Sequence, residues 1–254
     1  MKSKVTGPKC SLSLTVALAG KRRIDPADVA DMSETLALVF DAMERRILCS
    51  AAGLPRGVPP TSLTLVTGLA DGADQIAGRL FLSGAGVGGS KRVLGAVLPC
   101  PGDEFARNSP VEDRASFKRA AESCSFITVL RGRLRPPIAA CLDTEIAQQA
   151  RRERGDAFAA QAEALLWDAD ILVAIDDLND AGEVGGTRDT LTRAIELRMP
   201  VVLLHLGKSG FRLLLPGQSG EERTYLHGNA AREAIGFLVD DTLEIEPAMM
   251  SAYA

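Results

Sequence analysis

Short apolar runs alternate with longer amphipathic stretches along the chain, and this alternation restricts its fold more than any other feature. Six runs have the character of β-strands: residues 13–19, 63–67, 92–98, 126–130, 170–175 and 201–205. The run 171–175 is apolar at every position, which is typical of strands that are buried on both faces of a parallel sheet. The pattern therefore predicts a doubly wound α/β fold, with a mostly parallel sheet and helices on both faces.

The stretches between these runs carry helix signals. Asp25 and Pro26 suit a helix start, and Met32, Leu36 and Val39 recur at helical spacing behind them. Further helices are expected from about residue 71 through 80, over 111–123, from about 143 to 167 and over 187–198. Residues 54–62, 83–90 and 131–137 have the composition of linkers. We expect one Rossmann-like domain over residues 1–206 and a C-terminal extension of it over 207–254, with an edge strand near 211–215, a helix near 229–239 and a loose tail.

The composition excludes several classes of function. The net charge is −4 and aromatic residues make up 4% of the chain, which argues against a nucleic-acid partner. Five scattered cysteines and two histidines offer few ligands for zinc, so neither a metal nor another cofactor is expected. No apolar run approaches the roughly 18 residues of a membrane span. Without a secretory signal in the first residues, we expect a cytoplasmic protein that has no membrane partner.

Charged and small residues follow the predicted strands. In open parallel sheets, ligands bind beyond the carboxyl ends of the strands, so these residues are the candidate site. Gly20 permits a close backbone approach, and Lys21 and Arg22 can meet a phosphate. The third strand leads into a rigid proline-rich loop that carries Glu104 near its tip.

The second strand runs into the turn Thr67-Gly68-Leu69-Ala70-Asp71-Gly72-Ala73-Asp74, where a helix begins. Small residues at such a turn let backbone N–H groups face an anion. Asp71 and Asp74 either cap the helix or make the site prefer sugar hydroxyls to bare phosphate, and both interpretations stay open. The fingerprints G-x-G-x-x-G and G-x-x-x-x-G-K-[ST] are absent, which argues against NAD binding and ATP hydrolysis.

The fifth strand ends in Asp176 and Asp177 and is followed by a second glycine-rich turn, Gly185-Gly186-Thr187-Arg188. Thr187 can cap the next helix or bind an anion. Two such turns in one sheet indicate a phosphate-bearing small molecule, and we predict that they converge on one hollow. The predicted ligand-binding residues are Gly20, Lys21, Arg22, Gly68, Asp71, Gly72, Asp74, Glu104, Asp176, Gly185, Gly186, Thr187 and Arg188.

The order and spacing of these pieces resemble the SLOG superfamily. This Rossmann-like group includes the LONELY GUY phosphoribohydrolases, the DNA-processing protein of natural transformation and nucleotide-sensor domains of bacterial defence systems. The resemblance covers roughly residues 13–206 and includes Ala19-Gly20-Lys21-Arg22, the turn 67–74, Leu98-Pro99 with its acidic loop, Trp167-Asp168-Ala169-Asp170 and Gly185-Gly186-Thr187. It implies a nucleotide-type ligand held between the two glycine turns, and assembly into a homo-oligomer.

The phosphoribohydrolase branch has a motif resembling P-G-G-x-G-T-x-x-E, and this chain departs from it. The glutamate position falls on Thr190, with Asp189 one residue early, and Lys21 replaces the histidine of a Gly-His-Arg motif. The leading hypothesis is therefore a nucleotide-binding sensor or regulatory module. An N-glycoside hydrolase or transferase acting on nucleoside monophosphates, with Asp177 and Asp189 as candidate catalytic residues, is the alternative. A DNA-handling protein is the third hypothesis.

Overall fold

The computed structural model of the chain describes residues 12–52, 61–84, 90–108, 114–134, 145–177, 185–216 and 224–243. The strands are β1 Ser13–Gly20, β2 Ser62–Thr67, β3 Lys91–Leu98, β4 Phe126–Val129, β5 Ile171–Asp176, β6 Val201–His205 and β7 Phe211–Leu214. The helices are α1 Pro26–Ala52, α2 Ala73–Ser83, α3 Gly102–Arg107, α4 Arg114–Glu122, α5 Glu145–Trp167, α6 Thr187–Glu196 and α7 Gly228–Thr242.

The strands form one sheet in the order β4-β3-β2-β1-β5-β6-β7. Neighbouring strands from β4 through β6 run parallel, and β7 runs antiparallel to β6 at the edge. The strand order proceeds in one direction from β1 to β4 and in the other direction from β5 onward. This confirms the predicted doubly wound α/β fold and places its reversal point between β1 and β5.

Alternate residues of the central strands face opposite layers of helices. Leu14, Val16 and Leu18 of β1 belong to a core cluster that includes buried residues of α1, α2 and α7. Ala17 and Ala19 belong to a second cluster with residues of α5 and α6. Every residue of β5 is buried, as its apolar run predicted.

The described part of the C-terminal extension packs on the same sheet and the same core. Strand β7 pairs with β6, and Ile235 and Val239 of α7 join the cluster formed by α1. The Arg46 guanidinium of α1 donates hydrogen bonds to the Asp240 carboxylate of α7. Residues 244–254, at the end of the chain where a loose tail is predicted, lie outside the described residues, as do 54–60, 85–89 and 135–137 of the three linkers.

Three local features differ from the sequence-based expectations. The segment after β3, predicted to be a rigid loop, contains α3, whose first N–H groups donate to the Pro101 carbonyl and whose Phe105 is buried. Helix α6 ends at Glu196, two residues early, because Arg198 adopts a φ of 56°. The Met199 N–H then donates to the Ala194 carbonyl, which is the C-terminal closure of a Schellman motif. Helix α2 begins at Ala73, with Gly72 as its N-cap, whereas the sequence predicted a start near residue 71.

Among the described helices, none combines the length and the apolar character that crossing a bilayer requires.

Two phenylalanines provide a test of where the core lies. Phe40 of α1 is 1% exposed and packs edge-on against Phe81 of α2, whereas Phe237 of α7 is 74% exposed. Phe40→Ala should lower the free energy of unfolding by about 3–5 kcal/mol, because it removes buried contacts and leaves a cavity. Phe237→Ala should change it by less than about 0.5 kcal/mol. Urea denaturation of both variants checks this, and equal effects would contradict the described packing.

Candidate functional site

A cavity of about 560 Å³ lies at the carboxyl ends of β1 and β5. These two strands are neighbours, but the chain leaves them toward opposite sides of the sheet, so their connections diverge and leave a crevice. The walls come from the residues after β1, β2 and β5, from the start of α6 and from one face of α5. The cavity therefore occupies the position where open α/β sheets bind their ligands.

The residues after β1 are held close to the start of α2. A Cβ atom on Gly20 would come within 2.4 Å of the Ala73 Cβ, so glycine permits this approach. The Ala73 N–H donates to the Lys21 carbonyl over 3.0 Å. Gly72 adopts a φ of 83°, and a Cβ atom there would lie 2.3 Å from the Arg22 carbonyl oxygen. This packing fixes the loop that carries Lys21 and Arg22 on the cavity wall.

The glycine turn after β2 is occupied by the side chain of Asp74. The Asp74 Oδ2 accepts hydrogen bonds from the Ala70 N–H over 3.2 Å and from the Thr67 hydroxyl over 3.4 Å. Gly72 is the N-cap of α2, so neither Asp71 nor Asp74 caps this helix. The Asp71 carboxylate instead accepts a hydrogen bond from the Gln75 side chain. Both glycine turns line the same cavity. In the turn after β2, however, the Ala70 N–H donates to Asp74 and is not left for a ligand.

Asp74 is the most unusual ionisable group of this site. It is 4% exposed, and burial raises the pKa of its carboxyl to about 7, although the Ala70 hydrogen bond and the charge of Arg22 act in the opposite direction. Its second oxygen, Oδ1, is buried and has no hydrogen-bond partner among the described residues. A buried carboxylate oxygen without a donor is costly, and perturbed groups of this kind cluster at functional sites.

The opposite wall is built from the end of β5 and the start of α6. Asp176 is buried and pairs with Arg188 at 3.3 Å, and Asp177 pairs with Lys21 of the β1 loop at 2.7 Å. Gly186 is the N-cap of α6, and no side chain of the described residues caps the helix there. Thr187 is thus the first helical residue and not the cap. The first N–H groups of α6 stand beside Arg188 at the cavity, an arrangement that suits an anion.

Asp189, a predicted catalytic residue, has a structural role in the glycine turn. Its Oδ2 accepts a hydrogen bond from the Gly185 N–H over 2.8 Å. Gly185 adopts a φ of 73°, and a Cβ atom there would overlap the Phe158 Cβ of α5 at 2.4 Å. The turn is therefore closed by Asp189 and packed against α5.

Helix α5 contributes residues that the sequence interpretation missed. The Arg22 guanidinium lies over the Phe158 ring, 4.5 Å from its centroid, and Arg154 lies over the same ring at 5.3 Å. The Gln161 amide donates to the Val97 carbonyl over 2.6 Å and also reaches the Gly68 carbonyl. Phe158, Gln161 and Leu165 recur at helical spacing, but that pattern does not reveal which strand ends the helix covers.

Most of the predicted site residues lie together on the cavity wall. They are Gly20, Lys21, Arg22, Gly68, Asp74, Asp176, Asp177, Gly185, Gly186, Thr187 and Arg188. The lining within the described ranges does not include Asp71, Gly72, Glu104 or Asp189. Glu104 lies on α3, where its carboxylate accepts a hydrogen bond from the Leu134 N–H. Over the described part of the chain, no three acidic, histidine or cysteine side chains are grouped to hold a metal ion.

Comparison with known proteins gives a distant structural likeness. No protein-family model and no curated protein matches the chain. A solved structure of DNA processing protein A from Helicobacter pylori, concerned with its single-stranded DNA binding mode, covers 90% of this chain and 81% of its own. The TM-score is 0.47 and the sequence identity is 16%. A likeness this distant carries no argument about ligand or partner, and membership of the SLOG superfamily stays a prediction.

The packing of Gly72 can be tested against a second glycine of positive φ. Gly72→Ala should lower the free energy of unfolding by at least about 2 kcal/mol, since the methyl group meets the backbone of the β1 loop. Gly207 also has a positive φ, of 74°, but nothing lies within 4 Å of its Cβ position. Gly207→Ala should therefore cost only about 1 kcal/mol of backbone strain. Equal losses, measured by denaturant unfolding, would contradict the close contact at Gly72.

The titration of Asp74 predicts a pH dependence of stability. The folded protein holds the proton of Asp74 more tightly than the unfolded chain, where the pKa is near 3.8. This contribution to stability is complete below pH 4 and is lost as the pH rises through about 7, by up to ~1.4 kcal/mol per pH unit. Asp74→Asn should therefore gain stability relative to the unmodified protein between pH 4 and 7 and then level off. A difference in unfolding free energy that stays constant over this range would contradict the buried titration.

Proposed function

We propose that this protein binds a nucleotide or nucleotide-derived ligand in the cavity at the ends of β1 and β5, as a sensor or regulatory module. The observation that carries the proposal is the N-terminus of α6, which lies at the cavity beside Arg188 and which no side chain of the described residues caps. Backbone N–H groups, the helix dipole and a guanidinium together favour a phosphate. The volume of about 560 Å³ is within the range of small-molecule sites.

The charges of the lining support an anionic ligand of moderate size. Lys21, Arg22, Arg23 and Arg188 line the cavity together with the carboxyl groups of Asp74, Asp176 and Asp177. Asp176 and Asp177 each pair with one of these cations, which holds both side chains in place. The net charge of these lining residues is slightly positive, which suits one phosphate better than a long polyanion.

The enzymatic alternative, an N-glycoside hydrolase or transferase, stays a prediction. Asp177 lines the cavity, but its carboxylate is held by Lys21. Asp189 accepts the Gly185 N–H and is not among the described lining residues. A general acid or base has to reach the scissile bond, so these contacts favour binding over turnover.

Thermal unfolding with a ligand panel tests the proposed function. AMP, deoxynucleoside monophosphates, ADP and cyclic AMP are each added to the purified protein. A ligand present at 100 times its dissociation constant adds ~2.7 kcal/mol to stability, which corresponds to a rise in Tm of about 5–10 °C for a chain of this size. Arg188→Ala should weaken binding at least about tenfold, because it removes a charged donor beside the phosphate.

Arg193 provides the matched control on the same helix. It pairs with Glu163 at 2.6 Å and Glu196 at 3.0 Å and is not among the described lining residues, so Arg193→Ala should bind as the unmodified protein does. No shift with any ligand, or equal losses in the two variants, would overturn the proposal. Chromatography of the same samples detects released base, and release that Asp177→Asn abolishes would replace binding with the enzymatic alternative. A single-stranded oligonucleotide in the same assay, at two salt concentrations, tests the DNA-handling hypothesis.

A further inference from the structure

Strand β4 forms one edge of the sheet among the described strands and is exposed along its whole length. Its sequence, Phe126-Ile127-Thr128-Val129, contains no charge and no proline, and its three apolar side chains are between 39% and 49% exposed. Natural edge strands usually carry charges, prolines or bulges that prevent pairing with another chain. The other edge strand, β7, is bridged to the chain that follows it. Strand β4 therefore has the features of a strand that another strand completes.

The backbone groups of β4 that point away from the sheet belong to Ile127 and Val129. The Leu130 N–H donates to the Leu98 carbonyl of β3 over 2.9 Å. Because successive residues of a strand turn their N–H and C=O groups to opposite sides, Thr128 also faces β3, whereas Ile127 and Val129 face outward. Within the described ranges no strand lies beyond β4. The N–H and C=O groups of these two residues can therefore pair with a further strand.

The large side chain of Phe126 does not obstruct this edge. Phe126 is in register with Gly95 of β3, and a Cβ atom on Gly95 would lie 2.1 Å from the Phe126 ring. The ring therefore lies over the neighbouring strand, on the side of the sheet away from the open edge. An incoming strand can approach the backbone of β4 without displacing it.

A second copy of β4 fits this edge in an antiparallel register centred on Thr128. About a twofold axis there, Ile127 of each copy lies opposite Val129 of the other, and the two pairs form four N–H···O bonds. An axis at Ile127 would set Val129 opposite Ser125, whose N–H already donates to the Leu94 carbonyl. An axis at Val129 would reach past the end of the strand. The register centred on Thr128 thus uses every outward group of the strand.

The segments that flank β4 carry opposite charges. Glu122, the last residue of α4, precedes the strand, and its contact with Lys118 at 3.9 Å is exposed and weak. Arg131 and Arg133 follow the strand and are exposed. Antiparallel pairing brings the end of one strand beside the start of the other, so these arginines approach Glu122 and the C-terminal end of α4 in the second copy. Both favour a cation.

We propose that β4 is the interface at which two copies of this chain pair, so that their sheets join into one continuous sheet. A second copy supplies both the strand that completes the edge and the charges that match its flanks. The interface is separate from the ligand cavity, because β4 lies three strands away from β1. This inference therefore does not rest on the proposed function.

Sedimentation velocity of the full chain tests the pairing. Four hydrogen bonds and a few apolar contacts form an interface at the small end of the known range, so we expect a dissociation constant of about 1–100 μM. Samples over about 1–300 μM bracket that constant and should pass from the mass of one chain to that of two. Ile127→Lys should weaken the pairing at least about tenfold, because a charge on an edge strand opposes strand addition.

Phe237→Lys is the matched control for the lysine variant. Phe237 is a large apolar residue of α7 and is 74% exposed, so this variant places the same charge on an exposed position outside β4. It should pair as the unmodified protein does. A mass of one chain at every concentration, or equal weakening by the two lysine variants, would overturn the proposal.

Disulfide trapping tests the register and does not depend on the lysine variants. The two Thr128 residues form a non-hydrogen-bonded pair about 4.5 Å apart between Cα atoms, which a disulfide can span. Thr128→Cys should therefore yield a covalent dimer under mild oxidation. In Ile127→Cys the two thiols are diagonal neighbours, about 7–8 Å apart between Cα atoms, and should not join. The unmodified protein, in which Cys49 is exposed, sets the background. Equal trapping of the two variants, or trapping of Ile127→Cys alone, would contradict the pairing centred on Thr128.

Discussion

The pairing of β1 with both β2 and β5 is the constraint on which the rest of the structure depends. Leu18 is in register with Thr67 on one side, and Gly20 is in register with Ile175 on the other. The three strands therefore end at nearly the same level, while their connections lead to opposite faces of the sheet. The crevice between those connections follows from this strand pairing alone. Its walls are then refined by close contacts such as Gly20 against Ala73.

The two glycine-rich turns at this crevice differ in their chemistry. The turn after β2 is occupied by the carboxylate of Asp74, whereas the start of α6 remains open to the cavity within the described chain. The start of α6 thus suits an anion, whereas the turn after β2 already holds a carboxylate of the protein. Keeping an acid of pKa about 7 in a buried position costs stability. Such a cost is tolerated more readily at functional sites than in an ordinary core.

Much of the fold could be predicted because its signals are local. The apolar runs marked the strands, and Asp25 does cap α1, with its side chain accepting the Ala27 N–H. Helix α3 was missed because six residues are too few to show a period, and its stability comes from burying Phe105. Of the two interpretations left open for Asp71 and Asp74, capping does not hold, because Gly72 is the N-cap of α2 and no side chain of the described residues caps it. Phe158 and Gln161 were missed because only packing brings α5 over the crevice.

The sequence by itself determined the alternation of elements, the parallel class of the sheet and the placing of small and charged residues at strand ends. Each of these follows from side-chain periodicity and backbone preferences over a few residues. Only the tertiary structure decided that β1 and β5 are neighbours, that Lys21 meets Asp177 and that Asp74 turns its carboxylate into its own glycine turn. Most of these contacts join residues far apart in the chain, and the rest depend on burial. Local propensity does not predict long-range contacts or burial, because the free energy that selects them comes from packing the whole core.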